Sequence, residues 1–311
     1  MSYSAVLGTG SALPDRLVTN TEVGTPAGVD DAWIARKTGI LGRRWAAPGQ
    51  STSELATTAA RRALDRAGVP SESVSLVVVA TSTPDQPQPP TAAAVQHLLG
   101  ARNAAAFDVN AVCSGFVFAL ATARAMLSTT GGYAVVVGAD VYSRILDPAD
   151  RRTVVLFGDG AGAVVLGPDG PGGVEATRLH TYGEQRSLIE VPATEGRYFT
   201  MNGRAVREFV QDNVPGLVRG FLADAGVAPE EVAHVVPHQA NGVMLDELGP
   251  ALGLPRAAVH RTVAEYGNTG AASVPVTLDS AARAGHLGAG ERVLLVAFGG
   301  GMAVGLALLT W

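Results

Sequence analysis

The chain has 311 residues, of which 47% are hydrophobic and 16% are charged, and its net charge is −5. This length suits one large domain or two fused ones, and the acidic balance argues against nucleic acid as a partner. A single cysteine excludes an internal disulfide and a multi-cysteine zinc site. The first residues do not resemble a signal peptide and no apolar run approaches the roughly 20 residues of a membrane span, so we expect a cytoplasmic protein that binds no membrane.

Helix and strand patterns alternate in the first half of the chain. Residues 53–67 have helical spacing, with Ser51 or Ser53 as the N-terminal cap. Residues 105–110 predict a strand that leads into an apolar helix beginning at Cys113. Continuously apolar runs, typical of strands buried on both faces, predict further strands at 76–80, 134–138 and 154–157.

The second half repeats this alternation. Residues 207–225 predict an amphipathic helix, and residues 232–236 predict a strand that is followed by a helix from about Gln239. Two late strands are expected at 292–297 and 303–309, on either side of a glycine turn.

A stretch rich in turn residues, 167–173, lies near the middle of the chain and predicts a boundary there. We therefore expect two related α/β halves, residues 1–168 and residues 169–311. The similar order of elements supports this division without proving an internal repeat.

Cys113 is the most informative single residue. At the junction of a strand and a helix, its thiol would face unpaired backbone N–H groups and the positive end of the helix dipole. Both favour the thiolate, so we expect its pKa to fall below the value of about 8.5 of a free thiol. Taken alone, a lone cysteine is more often a buried structural residue.

Three further segments give that cysteine a chemical context. His238 follows a predicted strand, Asn268 lies at the start of a small-residue turn, and Gly300 belongs to a glycine triplet. Each feature by itself is weak, because histidines are often structural, asparagines often cap helices, and glycine triplets often only turn the chain. Together they offer a nucleophile, two neutral hydrogen-bonding side chains and backbone donors for an oxyanion. The six histidines suggest no set of metal ligands.

The chain resembles β-ketoacyl-acyl carrier protein synthase III in the cysteine, histidine and asparagine motifs, which read AVCSGF at 111–116, PHQAN at 237–241 and GNTGAAS at 267–273. Further similarity at 157–163 and 297–301 extends the resemblance over essentially the whole chain. It implies an α/β fold of the thiolase type, a five-layered α-β-α-β-α sandwich of two duplicated halves, normally a homodimer.

The resemblance also implies the reaction and its residues. Cys113 would take an acyl group from an acyl-coenzyme A, and the N–H groups of Cys113 and Gly300 would form the oxyanion hole. His238 and Asn268 would hold the carbonyl of a malonyl-carrier protein thioester and stabilise the enolate as CO2 leaves. Phe298 would cover the cysteine and exclude water. Coenzyme A enters as part of the substrate, and no cofactor or metal is implied.

The resemblance assigns the remaining site residues with less specificity. Trp33 and a basic residue after it would clamp the adenine of coenzyme A, with Lys37 where the family has arginine and Arg36 beside it. Arg151 and Asn241 are further expected contacts of coenzyme A. Tyr142, together with Phe298, is expected to line the acyl pocket, where the tyrosine hydroxyl would favour a shorter or more polar acyl group.

One departure concerns the acyl carrier protein. The helix after the PHQAN motif carries Asp246 and Glu247 and no base, although this family usually places basic residues there to meet an acidic carrier. Arg204, Arg207 and Arg261 are nearby in sequence, as is Arg256, and could rebuild a basic patch. We therefore expect a specialised-metabolism relative that starts a fatty acid or polyketide.

Two other functions stay open at this point. An acyltransferase on the same fold would move the acyl group to a hydroxyl or a carrier thiol without condensation, with His238 as general base. Asn268 argues mildly against that alternative. A non-catalytic subunit of a heterodimer is the other possibility, and the intact Cys113 argues against it.

Overall fold

The computed structural model describes residues 5–168, 170–193 and 198–311. The strands are β1 (Ala5–Ala12), β2 (Leu17–Thr19), β3 (Gly42–Arg44), β4 (Val74–Ala80), β5 (Ala105–Val109), β6 (Tyr133–Val141), β7 (Asp159–Gly167), β8 (Gly173–Thr181), β9 (Ile189–Glu190), β10 (Thr200–Met201), β11 (Val232–Pro237), β12 (Ala258–Val259), β13 (Arg292–Gly299) and β14 (Ala303–Thr310). The α-helices are α1 (Asn20–Ala27), α2 (Asp31–Thr38), α3 (Thr52–Ala67), α4 (Thr91–Leu99), α5 (Gly115–Thr130), α6 (Gly203–Asp224), α7 (Gly242–Ala251), α8 (Val263–Tyr266) and α9 (Ser273–Arg283).

Two mixed five-stranded sheets form the framework. The first has the order β1-β7-β6-β4-β5 and the second the order β12-β11-β13-β14-β8. In the first sheet β4 is parallel to both β5 and β6, and in the second β11 is parallel to both β12 and β13. Each sheet therefore belongs to one side of the predicted boundary. The boundary itself touches Asp169, which lies outside the described residues, and it stays a prediction.

Alternation of side chains along the strands produces the layers. Val77 and Val79 of β4 pack in one apolar cluster with α3 and α4, whereas Leu76 and Val78 point to the opposite face, towards α5. The second sheet repeats this arrangement: Val293 and Leu295 of β13 share the central cluster, and Leu294 and Val296 pack with α6 and α7. The order is helices, sheet, helices α5 and α9, sheet, helices, which confirms the predicted five-layered fold.

The central helix corrects one expectation from the sequence. The segment Val112–Thr130 has 19 residues and a mean hydropathy of 1.4, enough by length and composition to cross a membrane. The expected absence of such a run was therefore wrong. Phe116, Leu120 and Leu127 of this segment lie in the cluster between the two sheets, so we interpret it as the core helix of the sandwich.

Most predicted elements are present, with shifted ends. Helix α3 begins at Thr52, and Ser51 forms a capping box with Glu54. Helix α6 begins at Gly203, four residues before the predicted start, because Asn202 caps it by accepting a hydrogen bond from the Ala205 N–H. Residues 154–157 do not form the predicted strand. They form turns that end in a single bridge between Phe157 and Asn268.

Candidate active site

Cys113 lies in a short 3₁₀ turn, Val112–Ser114, that joins β5 to α5. The preceding residue, Val112, has a φ of 48°, a left-handed conformation that is rare for a β-branched side chain. Such strain is maintained only where the surrounding structure enforces it, often at active sites. Gly299 supplies part of that enforcement, because a Cβ atom added to Gly299 would lie 2.7 Å from the Cβ atom of Cys113.

The environment of the Cys113 thiol differs from the sequence-based expectation. The residue is 6% exposed, and burial together with the nearby Asp140 carboxyl raises the pKa of its thiol to about 12. The expected low pKa was therefore wrong, because loss of hydration outweighs the effect of the helix end. The resting protein carries a neutral thiol that must lose its proton when it reacts.

His238 follows β11 directly, as predicted. Its ring is buried, which lowers its pKa to about 3 and keeps the imidazole neutral. The Nδ1 atom lies 2.6 Å from the hydroxyl oxygen of Ser273, which also accepts a hydrogen bond from the Gln239 N–H. With the Ser273 hydroxyl donating to Nδ1, the ring proton is on Nε2, so the imidazole can donate through that atom.

Asn268 is fixed by its backbone and by its side chain. Its N–H donates to the Leu156 carbonyl, and its carbonyl accepts from the Gly158 N–H. The side-chain Oδ1 accepts from the Gly270 N–H at 2.9 Å. The Nδ2 group is therefore the end of this carboxamide that is directed to serve as a donor.

One cavity of about 250 Å³ joins the three groups. Cys113, His238 and Asn268 all line it, and Phe298 packs its ring edge-on against His238 with 5.2 Å between the ring centroids. A nucleophile from the first half of the chain and two neutral polar side chains from the second half thus open onto the same space. Their catalytic roles remain predictions.

The glycine triplet approaches the cysteine closely, although the nearest backbone is that of Gly299. Gly300 packs against Val112 and Ile189, which would lie 3.1 and 3.3 Å from an added Cβ atom. The predicted pairing of the Cys113 and Gly300 N–H groups as an oxyanion hole stays a prediction.

The residues expected to bind coenzyme A lie at the same cavity or near it. Trp33, Arg151 and Asn241 line the cavity, and the guanidinium of Arg151 lies 5.8 Å from the centroid of the Trp33 ring. Asn241 also caps α7, because its Oδ1 accepts from the Val243 and Met244 N–H groups. Arg36 and Lys37 are exposed in the last turn of α2 and are not among the residues that line the cavity.

Sequence reasoning missed two residues that organise this site. Ser273 lies inside the GNTGAAS motif, yet its contact with His238 depends on the packing of α9 beneath β11. Asp140 ends the apolar part of β6 and accepts hydrogen bonds from the N–H groups of Ser82, Thr83 and Ala271. Because the hydrogen-bond partners of Asp140 lie in both halves of the chain, no local sequence pattern indicates its role.

Within the described residues, no group of three or more histidine, cysteine, aspartate or glutamate side chains is arranged to hold a metal ion. The site consists of a thiol, an imidazole, a carboxamide and backbone groups.

Comparison with known proteins places this geometry in a family. Residues 107–183 match the family model of 3-oxoacyl-[acyl-carrier-protein] synthase III, and residues 222–311 match the model of its C-terminal part. Acetoacetyl CoA synthase NphT7 of Streptomyces sp. (strain CL190) is 59% identical over 322 aligned residues, covering 98% of each chain. β-Ketoacyl-[acyl-carrier-protein] synthase III of Rhizorhabdus wittichii is 44% identical over 320 aligned residues, covering 100% of each chain.

Solved structures of two related synthases superpose closely on this chain. 3-Oxoacyl-[acyl-carrier-protein] synthase III from Aquifex aeolicus VF5 superposes with a TM-score of 0.93 at 36% identity, over 99% of this chain and 100% of that one. The priming β-ketosynthase of the R1128 polyketide biosynthetic pathway superposes with a TM-score of 0.94 at 36% identity, over 99% of this chain and 96% of that one. From the matched family models and the extent of these similarities, the chain belongs to the 3-oxoacyl-[acyl-carrier-protein] synthase III family.

Proposed function

We propose that this protein catalyses a decarboxylative condensation between an acyl group supplied by acyl-coenzyme A and a malonyl thioester. The observation that supports this most strongly is the convergence of Cys113, His238 and Asn268 on one cavity of about 250 Å³. The product is a β-ketoacyl thioester, the kind of compound that starts a fatty acid or a polyketide.

In the first half-reaction Cys113 is the nucleophile. Its sulfur attacks the thioester carbonyl of the acyl-coenzyme A, the thiol loses its proton, and the coenzyme A thiol leaves with a proton gained. The tetrahedral intermediate carries its negative charge on the former carbonyl oxygen. The backbone N–H groups of Cys113 and Gly300 are the proposed donors to that oxygen.

In the second half-reaction the malonyl thioester carbonyl accepts hydrogen bonds from His238 Nε2 and Asn268 Nδ2. The bond between the α-carbon and the carboxylate breaks, CO2 leaves, and the electron pair forms an enolate stabilised by these two donors. The α-carbon then attacks the acyl-Cys113 carbonyl and expels the Cys113 thiolate, which takes up a proton from water and returns to the neutral thiol. The low pKa of His238 supports this assignment, because a neutral imidazole can donate without first taking up a proton.

Coenzyme A would enter past Trp33 and Arg151. An indole and a guanidinium at 5.8 Å form one side of an adenine clamp, and adenine stacks well on both groups. Arg36 and Lys37, exposed in the last turn of α2, are proposed to meet the phosphates, with Asn241 at the inner end of the channel.

The malonyl group that is condensed with the acyl group is called the extender. We propose that it is carried by coenzyme A rather than by an acyl carrier protein. Condensation leaves the thioester bond of the extender intact, so the product keeps the extender's carrier. The name of the Streptomyces relative specifies acetoacetyl CoA, a product carried by coenzyme A.

The charges on α6 and α7 also favour coenzyme A over an acyl carrier protein as the carrier of the extender. Arg207 donates through Nε to Glu247 at 2.7 Å, Arg204 pairs with Glu208, and Arg261 pairs with Asp246. Three of the four arginines that could have rebuilt a basic patch are therefore neutralised by neighbouring carboxylates. An acidic carrier protein would gain little attraction from such a surface.

A homodimer is proposed through the edge of the first sheet. Strand β5 ends that sheet and pairs with β4, and its residues 106–109 are half-buried in the single chain. An unpaired strand edge is a site for strand pairing with a second copy. We also propose a cytoplasmic location, since a catalytic thiol must stay reduced.

Mass spectrometry of the intact protein after incubation with acyl-coenzyme A esters tests the proposed function. We expect an adduct on Cys113 that disappears when malonyl-coenzyme A is added, with release of CO2 and a β-ketoacyl product. The Cys113→Ala variant should show no adduct. Transfer of the unchanged acyl group to an alcohol would instead support the acyltransferase, and absence of any adduct would support a non-catalytic subunit.

A further inference from the structure

Gln239 follows His238 in the turn between β11 and α7. The residue is 1% exposed, and it does not line the cavity that contains Cys113, although its neighbours His238 and Ala240 do. A buried polar side chain is stable only where its hydrogen-bonding groups find partners. The partners of this carboxamide therefore show which parts of the chain it holds together.

The carboxamide of Gln239 uses all of its hydrogen-bonding capacity. Its Nε2 donates to the carbonyl of Pro237 at 2.7 Å and to the carbonyl of His260 at 3.3 Å. Its Oε1 accepts from the N–H groups of Thr262 at 2.8 Å and Val263 at 3.2 Å. Because carbonyls only accept and N–H groups only donate, the orientation of the amide is fixed. The side chain thus joins the end of β11 to residues 260–263.

Helix α8 depends on this contact at its N-terminus. It has four residues, and a helix of about one turn is not stable by itself. The side chain of Thr262, which precedes the helix, does not cap it, and the Thr262 hydroxyl instead lies 2.7 Å from Thr277 Oγ1. Gln239 supplies the cap from a distant part of the chain, by accepting from the N–H groups of Thr262 and Val263.

Asn268 lies between two attachments to the turn that carries His238. At one end, Gln239 accepts a hydrogen bond from the Val263 N–H. At the other end, the Ser273 hydroxyl oxygen lies 2.6 Å from His238 Nδ1. Val263 precedes Asn268 by five residues and Ser273 follows it by five. The segment 263–273 is therefore bound to the His238 turn on both sides of Asn268.

We infer that Gln239 is a positioning residue that holds Asn268 in register with His238, so that both donors reach the carbonyl oxygen of the malonyl thioester. The inference rests on the proposed function, in which these two side chains stabilise the enolate. Two donors that share one oxygen must keep their separation, and a displacement of about 1 Å can cost about a hundredfold in rate. Acyl loading does not use Asn268, so the loss should be confined to condensation.

Gln239→Met tests this inference, because methionine nearly keeps the length of the side chain and removes all four hydrogen bonds. We expect acyl loading of Cys113 to stay within about twofold and single-turnover condensation of the acetylated protein to fall by at least about tenfold. Gln239→Glu keeps an oxygen that accepts from Thr262 and Val263, so it should lose less. If Gln239→Met does not fold, Gln239→Glu serves the same comparison.

Gln96→Met is the matched control. Gln96 is half-buried in α4, donates through Nε2 to the Ala101 carbonyl at 2.7 Å, and does not line the cavity. This variant also removes a hydrogen bond between a carboxamide and the backbone, but at a distance from both donors. Loading and condensation should each stay within about twofold of the wild-type rates.

A double variant distinguishes the positioning of Asn268 from a general effect on packing. In the Asn268→Ala background the donor that Gln239 positions is gone, while Ser273 still holds His238. Adding Gln239→Met should therefore slow condensation by less than about twofold further. A merely structural role would slow condensation by the same factor in both backgrounds.

Three results would overturn the inference: a folded Gln239→Met that condenses at the wild-type rate, equal losses in loading and condensation, or the full loss repeated in the Asn268→Ala background. Failure of the proposed function looks different, because then the wild type itself would form no β-ketoacyl product.

Discussion

The Nδ1 atom of His238 and the hydroxyl oxygen of Ser273 are separated by 2.6 Å, and both groups are buried. The serine begins α9, a helix of the central layer, while the histidine follows β11 of the second sheet. With the Ser273 hydroxyl as the donor and Nδ1 as the acceptor, the ring proton lies on Nε2. It therefore links the packing of α9 to the donor that the proposed condensation requires.

Replacing Ser273 with alanine should slow condensation and spare acyl loading. Without the hydroxyl, the His238 ring can rotate and exchange its proton between the two nitrogens, so Nε2 is less often a donor. We expect about a tenfold loss in the rate of β-ketoacyl formation, less than the hundred- to thousandfold loss typical when a donor is removed outright. Single-turnover measurements on pre-acetylated protein give this rate, and an unchanged rate would show that Ser273 does not direct His238.

Asn268→Ala should slow condensation more than Ser273→Ala does and should also spare acyl loading. The carboxamide is proposed to act on the enolate, which forms after Cys113 has been acylated. We expect acyl loading near the wild-type rate and condensation slower by about a hundred- to a thousandfold. The adduct on Cys113, followed by mass spectrometry, serves as the internal control for folding. Normal condensation by this variant would remove Asn268 from the mechanism.

The layers could be predicted from the sequence, because strands such as 76–80 and 292–297 are apolar without interruption, as strands covered on both faces must be. The ends of elements were less predictable. The side chain of Asn202 caps α6, so the helix starts earlier in the chain than its apolar pattern indicates. Residues 154–157 are apolar because they pack around the site rather than within a sheet.

The chemical state of Cys113 could not be predicted from its position in the chain. Placement at a helix start indicated a low pKa, yet the value depends on burial and on Asp140, which approaches from β6. The left-handed conformation of Val112 depends on the close passage of Gly299 on β13. Residues distant in sequence determine both properties, so no local pattern contains them.

The pH dependence of Cys113 reactivity follows from its raised pKa. A thiol with a pKa of about 12 is almost wholly protonated at neutral pH, so its thiolate fraction rises about tenfold per pH unit throughout the range from about 7 to 9. We expect the rate of alkylation by iodoacetamide to follow that slope without a plateau. Circular dichroism at each pH confirms that the fold persists. A plateau beginning below pH 8.5 would instead restore the low pKa expected from the helix end.

His238 should show no titration in the condensation step. Burial lowers its pKa to about 3, so the ring is already neutral at every pH above about 4 and stays so as pH rises. The single-turnover rate of acetylated protein with malonyl-coenzyme A should therefore change less than about twofold between pH 5 and 7, whereas an ordinary histidine, with a pKa near 6.5, would titrate there. A tenfold rise across that interval would contradict a neutral donor.

The paired charges on α6 and α7 predict how the choice of carrier can be changed. In Asp246→Lys/Glu247→Lys the new ammonium groups join Arg207 and Arg261, which lose their partners, so the surface becomes basic. We expect kcat/KM for malonyl-acyl carrier protein to rise several-fold, with a new dependence on salt, while kcat/KM for malonyl-coenzyme A changes less than about twofold.

A matched control places the same charge change away from the cavity. Glu72 and Glu230 are exposed and precede β4 and β11, at the ends of these strands opposite to those that lead into the site. Glu72→Lys/Glu230→Lys alters the net charge equally and should leave the preference for malonyl-coenzyme A as it is. If both double variants use the carrier protein equally well, total charge and not the surface around α7 governs the extender. If the wild type already prefers the carrier protein, coenzyme A is not the extender's carrier.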